Sequence, residues 1–371
     1  LSLYKANPAR LCAPKYFAPE FPVCALRVIR MTTGITDHKI DRLVHLLVTN
    51  AMVVVPGPKI ASEIGVSRST VWEWIERLRA LGVAIKGHPR HGYQLEKLPD
   101  ILVPSLVRSE LPHAEIGHRI VHYFRTDSTN SVALQLDAQT GPHGTVVIAE
   151  EQAAGRGRLG RNWYSEKSSG IYVSIILRPQ LSPAAAPILT LLAGLAAHHA
   201  VCSATGLGAD IRWPNDLLVN GKKVCGILTE MKAEVDRLHM VVLGIGVNVN
   251  HSSMPDELQD IATSLAIEGG RHFSRLHLLA ELLREVERYY HMLLKEGNAA
   301  IVREWAESSS YAQGKRVCVK TSKHNYSGVT SGLDASGALK IRRDDRAKID
   351  TGFYSLIQNP SSSQERYASC Y

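Results

Sequence analysis

Gly155-Arg156-Gly157-Arg158-Leu159-Gly160-Arg161-Asn162-Trp163 is the stretch on which the choice of fold turns. Its glycines at 155, 157 and 160 match, by count, the GxGxxG pattern of dinucleotide-binding folds. In those folds the glycines open a helix, and an acidic residue about 20 positions later holds the ribose. Here the next apolar run, Ile171 to Leu177, reads as a strand, and Gln180 stands where the acid belongs. A doubly wound dehydrogenase fold is therefore set aside. What remains is a loop with three arginines, Arg156, Arg158 and Arg161. Glycine lets backbone N–H groups approach an oxyanion, and guanidinium forks suit phosphate and carboxylate. A solvated basic hairpin is the plainer alternative.

Around this loop the pattern alternates between strand and helix. Thr145–Gln152, Gly170–Arg178, Lys223–Lys232 and Arg237–Asn250 read as strands. Thr129–Gln139, Ala184–Thr205, His272–Glu296 and Ala299–Ser308 read as helices. Three further runs stand out. Arg212-Trp-Pro-Asn-Asp216 leads to Asn220-Gly221, a hairpin turn signal, and then to Lys223 at the start of a returning strand. Gly244-Ile-Gly-Val-Asn248-Val-Asn250 is a strand with two glycines, which often mark close approach by a ligand. Asp127-Ser128-Thr129-Asn130 reads equally well as a helix N-cap.

Upstream, Ile40, Leu43, Val44 and Leu47 share one helical face. Residues 59–82 then read as helix, turn at Gly65 and second helix, with Ser67 as N-cap and Val71, Trp74, Ile75 and Leu78 as its buried stripe. Val83 to Leu95 alternates like a two-stranded wing. This is a winged helix-turn-helix, which places the start of its second helix in the DNA major groove. The expected DNA-facing residues are Ser67, Arg68, Ser69, Thr70 and Trp72 on the helix, with Lys86 and Arg90 on the wing. The plainer alternative is a winged helix used only for packing or protein contacts.

Length and charge bound the rest. At roughly 100–200 residues per domain, 371 residues make two or three domains. The net charge of +8 is uneven: residues 1–36 carry 5 basic and 1 acidic side chains, 37–100 carry 9 and 7, 101–310 carry 19 and 22, and 311–371 carry 10 and 5. The basic excess at the two ends permits contact with nucleic acid without establishing it. Six scattered cysteines with no CxxC pair argue against a zinc ribbon or a disulfide framework and point to a reducing cytoplasm. No secretory signal is apparent, and the apolar run Ile188–Ala197 is too short to cross a bilayer, so no membrane partner is expected. The expected organisation is a disordered or non-native arm over 1–35, with Met31 as an alternative start, and a winged helix-turn-helix over 36–98. A linker over 99–114, a catalytic domain over 115–310, a small barrel over 311–359 and a frayed tail over 360–371 follow.

Taken together and in this order, these motifs resemble the bifunctional biotin–protein ligases that double as biotin operon repressors. The resemblance covers about residues 37–358 and adds Gln152 and the barrel run Gly332 to Leu339 to the motifs above. It implies an α+β chain: an N-terminal winged helix-turn-helix, a central class II aminoacyl-tRNA-synthetase-like mixed sheet with helices, and a C-terminal SH3-like β-barrel. It implies activation of biotin by ATP and Mg²⁺ to biotinyl-5′-AMP, then transfer to a lysine of the biotin carboxyl carrier protein of acetyl-CoA carboxylase. It further implies a homodimer, when adenylate-bound, that binds operator DNA. By this resemblance Lys223, Arg156 and Arg158 carry the catalysis. Ser128, Thr129, Asn130, Gln152, Gly155, Gly157, Gly226 and Ile227 join them around biotin. Arg158, Arg161, Trp163, Asn215, Asp216, Lys223 and Asn248 meet ATP. No protein-only metal site is expected. The sequence departs from relatives at Ser131, at Ile357 and over His251–Gly270, where Leu258 or Ile261 replaces a tryptophan over the adenine. Two other readings are open: a lipoate or octanoyl ligase, and a biotin-sensing transcription factor without turnover.

Overall fold

Ile40, Leu43, Val44 and Leu47 recur at helical spacing, and all four are buried on α1 (His38–Thr49). They belong to a computed structural model that describes residues 38–97, 99–320, 325–345, 349–352 and 355–357. The expected arm, 1–35, and tail, 360–371, lie outside the described residues. Strand β1 (Val54–Val55) leads into α2 (Gly57–Ile64), which stops where Gly65 turns left-handed. α3 (Arg68–Ala80) begins at Ser67, whose hydroxyl accepts the Thr70 N–H at 3.1 Å. Val71, Ile75 and Leu78 are buried beneath it, while Trp74 is only half-buried. β2 (Ile85–His88) and β3 (Gly92–Leu95) form the wing. The expected two-stranded wing is three-stranded, because β1 pairs with β3 in the order β1-β3-β2.

Residues 99–114, expected as a linker, are packed on both sides. They hold α4 (Pro104–Glu110), with proline in the first turn, where its missing N–H has no helical partner to lose. Leu102 and Val107 belong to the main core, while Ile101, Val103 and Leu106 belong to the winged-helix core. Asp41 on α1 accepts the Ser105 N–H at 2.8 Å and pairs with Arg108 at 3.4 Å.

The central region runs β4 (Ile120–Tyr123), α5 (Thr129–Gln135), β5 (Val146–Ala149), β6 (Gly170–Leu177), α6 (Pro187–Thr205), β7 (Asp210–Arg212), β8 (Asp216–Val219), β9 (Lys222–Ala233), β10 (Leu238–Asn248), α7 (Leu265–Gly269), α8 (Arg275–Glu296) and α9 (Asn298–Glu307). Its strands form one mixed sheet, β4-β5-β6-β10-β9-β8-β7, parallel only between β4 and β5. β4, β7, β8 and α7 escape the periodicity reading because they are only three to five residues long. α5 ends four residues earlier than expected. Asp137 accepts the N–H groups of Gln139 and Thr140 at 2.8 and 2.7 Å, which favours a turn over another helical turn.

Strand alternation gives this sheet two different faces. Val146 and Ile148 of β5, Ile171, Val173 and Ile175 of β6, and Val241, Leu243, Ile245 and Val247 of β10 share the core with α6 and α8. α6 corrects an expectation: residues Pro183–Thr205 are long and apolar enough, by length and composition, to cross a membrane, yet the helix is packed between the sheet, α8 and α9. The intervening residues face the other way. In register across three strands they are Ser174, Gly244 and Leu228, then Tyr172, Gly246 and Gly226. This second face is small and open, and α5 covers only one end of it.

The chain closes with β11 (Gln313–Lys320), β12 (Asn325–Leu333), β13 (Leu339–Arg343), β14 (Ile349–Gly352) and β15 (Ser355–Ile357). They make an antiparallel sheet in the order β14-β13-β12-β11-β15, the expected SH3-like module. The fully buried Trp213 donates its indole N–H to the Gly337 carbonyl of this module at 3.1 Å.

Candidate functional site

The open face of the sheet is a floor made by missing side chains. A Cβ on Gly244 would lie 2.2 Å from Asn130 Oδ1, and one on Gly246 would lie 2.5 Å from the Trp163 ring. Only glycine admits these approaches. Above the floor the start of α5 meets Gln152. The Gln152 side-chain carbonyl accepts the Thr129 N–H at 2.9 Å and the Thr129 hydroxyl at 3.2 Å, and its amide donates to Ser165 at 2.9 Å. The Ser174 hydroxyl donates to Asn130 Oδ1 at 2.5 Å and lies 2.8 Å from the Thr129 hydroxyl. Ser128 sits at the N-cap position, but its hydroxyl caps nothing and faces the pocket. The result is a buried ring of amide and hydroxyl groups, suited to a neutral, multiply hydrogen-bonding head group.

The glycine–arginine loop folds over this floor as a narrow hairpin. Trp163 N–H donates to the Gly155 carbonyl at 2.8 Å and Gly157 N–H to that of Arg161 at 2.7 Å. Gly155 is itself buried, with no room for a Cβ between Trp163, Ser165 and Gln152. The Trp163 indole lies against Gly226 and Gly246, with its N–H buried and unpartnered among the described residues. The indole leaves about 50 Å³ of free space on the head-group side. Arg156 and Arg158, expected side by side at the anions, point to different partners. Arg158 donates to Asn215 Oδ1 at 2.9 Å, whereas Arg156 pairs with Glu230 at 2.7 Å and is partly exposed, although both line the head-group compartment.

Lys223 is placed by a register shift. Alternation from Gly226 would turn Lys223 to the helical face. Between Leu217 and Leu218 the β8–β9 pairing slips by one residue, and Val224 and Cys225 both enter the core. Such a bulge re-aims a side chain. The Lys223 ammonium lies 2.6 Å from Asp216 and 5.3 Å from the Trp163 ring centre. Asp216 also pairs with Arg212 at 2.6 Å. Burial alone would raise the Asp216 pKa, but the charges of Lys223 and Arg212 outweigh it and hold the group below its ordinary value.

Beyond Trp163 the site widens into a second compartment of about 400 Å³. Gly157, Arg158, Trp163, Asn215 and Lys223 line both compartments, so they mark the bend between them. Arg161, Asp216 and Asn248 line the second one. Its apolar wall is Met254, Leu258 and Ile261, so both candidates for the missing tryptophan are present, together with Leu356 from the C-terminal module. Asn215 is spent on holding the site: besides accepting from Arg158, it donates to the Ile227 carbonyl at 3.0 Å. Asn248 donates to the Thr263 carbonyl at 3.0 Å. Ile227 differs from expectation, because its side chain is buried in the helical core and only its backbone reaches the site. Leu228 forms the wall instead. Sequence reasoning missed Ser165, Ser174, Leu228, Glu230 and Leu356. For Ser174, Leu228 and Glu230 the signal was available as period-two alternation from Gly226 and Gly244.

A second surface lies on the winged helix. Ser67, Arg68, Ser69, Trp72, Lys86 and Arg90 are exposed and Thr70 is half-buried. Arg68, Trp72 and Arg90 border one open groove between α3 and the wing. The hydroxyls of Ser69 and Thr70 hydrogen-bond to that of Ser67, at 2.7 and 2.8 Å, so these side chains shape the helix start.

Residues 123–248 match the model of the biotin/lipoate A/B protein ligase family, and residues 40–94 match that of an HTH domain. The chain is 39% identical over 296 residues to "Bifunctional ligase/repressor BirA" of Bacillus spizizenii, covering 79% of this chain and 91% of the relative. It is 28% identical over 291 residues to the protein of that name from Escherichia coli, covering 78% and 88%. Over 224 residues it is 36% identical to "Biotin--[acetyl-CoA-carboxylase] ligase" of Paracoccus denitrificans, covering 59% and 92%. Among solved structures, the biotin protein ligase from Aquifex aeolicus in complex with biotin and ATP matches at 27% identity with a TM-score of 0.54, over 65% of this chain and all of that one.

Proposed function

Because this chain belongs to the biotin/lipoate A/B protein ligase family and carries the winged helix of its ligase/repressor members, we propose that it is a biotin–protein ligase that also represses transcription. It activates biotin with ATP and transfers the acyl group to a lysine of a carrier protein. The carrier is the biotin carboxyl carrier protein of acetyl-CoA carboxylase. In the first step a biotin carboxylate oxygen attacks the α-phosphorus, and pyrophosphate leaves. In the second, the acceptor Nζ, having lost its proton, attacks the acyl carbon, and AMP leaves.

The observation that carries this reading is Lys223. It stands at the bend between a hydrogen-bonding compartment and a wider one, beside Arg158. Two anions must meet there, and cations preorganised in a site shielded from water stabilise the charge that builds up between them. Thr129, Gln152 and Ser128 suit the biotin ureido head over the glycine floor. Met254, Leu258 and Ile261 suit the adenine. Mg²⁺ enters with the ATP phosphates and supplies neutralising charge; Asp216, the acid lining that compartment, is already paired with Lys223 and Arg212. On the winged helix, Arg68, Trp72, Lys86 and Arg90 meet operator DNA. The adenylate-bound protein pairs as a homodimer on a palindromic operator, and it works in the cytoplasm.

The test is transfer of labelled biotin to a purified carrier domain with ATP and Mg²⁺. Wild type should label the acceptor, and Lys223→Ala should be slower by about 10²- to 10³-fold. A Lys223→Ala protein as fast as wild type would remove Lys223 from the chemistry. For repression, an electrophoretic shift of the operator should require biotinyl-5′-AMP. No shift with adenylate present would sink that half of the reading.

A further inference from the structure

Glu230 is an acid at the edge of the head-group compartment, behind Asn130, which lines it. Alternation from Gly226 and Leu228 puts it on the open face of β9, opposite Val242 of β10. A half-buried carboxylate there needs a matching cation. Asp216 meets the same problem with two cations. Glu230 is matched by one, Arg156, whose guanidinium donates to Glu230 Oε2 at 2.7 Å. The same oxygen accepts the Asn130 side-chain N–H at 2.8 Å. A single carboxylate oxygen thus ties the glycine–arginine loop to the start of α5. Arg156 sits at the base of the loop hairpin, where it bridges Asn162 across the two arms.

From this geometry we infer that Glu230 is the anchor that holds the loop closed, and that it sets how long the acyl-adenylate is retained. Arg156 is then a positioning residue, and Arg158 and Lys223 are the cations that face the reacting anions. The inference rests on the ligase reading. It deepens that reading by giving the two arginines of one loop separate tasks. The loop has few other holds: Arg156, Leu159, Gly160, Arg161 and Asn162 are all exposed. Apart from Arg158 on Asn215, the pair with Glu230 is the side-chain bond that the loop's arginines make to the sheet among the described residues.

The experiment follows dissociation of biotinyl-5′-AMP by the fluorescence change of the protein, in wild type, Glu230→Gln, Arg156→Gln and the double variant. Glutamine at 230 keeps an acceptor for Asn130 and loses only the charge. Each single variant should release adenylate about three- to tenfold faster, as suits a half-exposed, charge-assisted pair. The double variant should release no faster than either single one, because both remove one interaction. Single variants that release at the wild-type rate, or effects that multiply, would overturn the anchor. Should Glu230→Gln fail to fold, Glu230→Asp, which keeps the charge but shortens its reach to Arg156, takes its place in the comparison. A wild type that forms no adenylate overturns the anchor and the ligase reading together. A wild type that forms it, with variants that retain it equally well, overturns the anchor alone.

Discussion

Lys223 shows how one residue's role depends on a local irregularity. Its charge and its neighbour Asp216 are plain in the sequence. That it faces the site depends on the slip between Leu217 and Leu218, which strict alternation would not predict. The glycines are the converse case. Gly244 and Gly246 announce close approach from the sequence, and Asn130 and Trp163 are what approach. Gly244→Ala would push a methyl group onto Asn130 Oδ1 and break its bonds to Ser174 and Glu230. We expect KM for biotin to rise at least about tenfold, the equivalent of one buried hydrogen bond left unmade. An unchanged KM would show that Asn130 does not shape the head-group compartment.

At the scale of elements, α3 and the glycine–arginine loop carry separate tasks on rigid supports. α3 was legible almost whole, because its N-cap, apolar stripe and glycine stop agree. Its exposed start presents Arg68 beside the groove to the wing. Arg68→Ala should weaken operator binding. If the contact is to phosphate, the slope of log affinity against log salt should fall by about one, evenly across sequences. If it reads a base, one operator position should lose specificity instead. A salt titration in which neither changes would take Arg68 off the DNA. α4 was illegible, since seven residues between prolines carry no clear period. Its apolar residues divide between two cores, and that division exists only once both cores have formed.

Over the whole molecule, the segment that follows the winged helix is tied to the ligase region by a charge network centred on buried Arg275 and Glu150. Arg275 on α8 is fully buried. It pairs with Glu150 at 2.9 Å, donates to the Gly170 carbonyl at 3.1 Å and binds both the side chain and the carbonyl of Asp100. Glu150 also accepts the Leu102 N–H at 2.7 Å and lies 3.3 Å from His122. Burial would raise the Glu150 pKa, but Arg275 and His122 outweigh it and bring it from 4.5 down to about 2. Unfolded Glu150 therefore takes up protons before folded Glu150, so stability is lost as pH falls from about 4.5 towards about 2. His251 works in the same direction higher up. Burial, with Arg275 nearby, lowers its pKa from 6.5 to about 4, so folding loses stability as pH falls across that window. We predict a melting temperature that declines in two limbs on acidification. Glu150→Gln should remove the lower limb and cost about 3–5 kcal/mol at neutral pH by leaving buried charge unmatched. A single flat profile down to pH 3 would contradict both assignments.

The sequence alone sufficed for the three-part architecture, the reaction class and the motifs that line the two compartments, because these rest on local chemistry. A glycine run with arginines, a Trp-Pro-Asn-Asp motif and a capped helix are each ambiguous alone, but their order along the chain is read without knowing the fold. The tertiary structure alone decided which arginine of the loop meets an acid, which face Lys223 takes and how the supposed linker is held. Those depend on strand register and on pairing between residues such as Arg156 and Glu230, 74 positions apart. Partners at that distance are chosen by the packing of the whole sheet, and no local pattern encodes them.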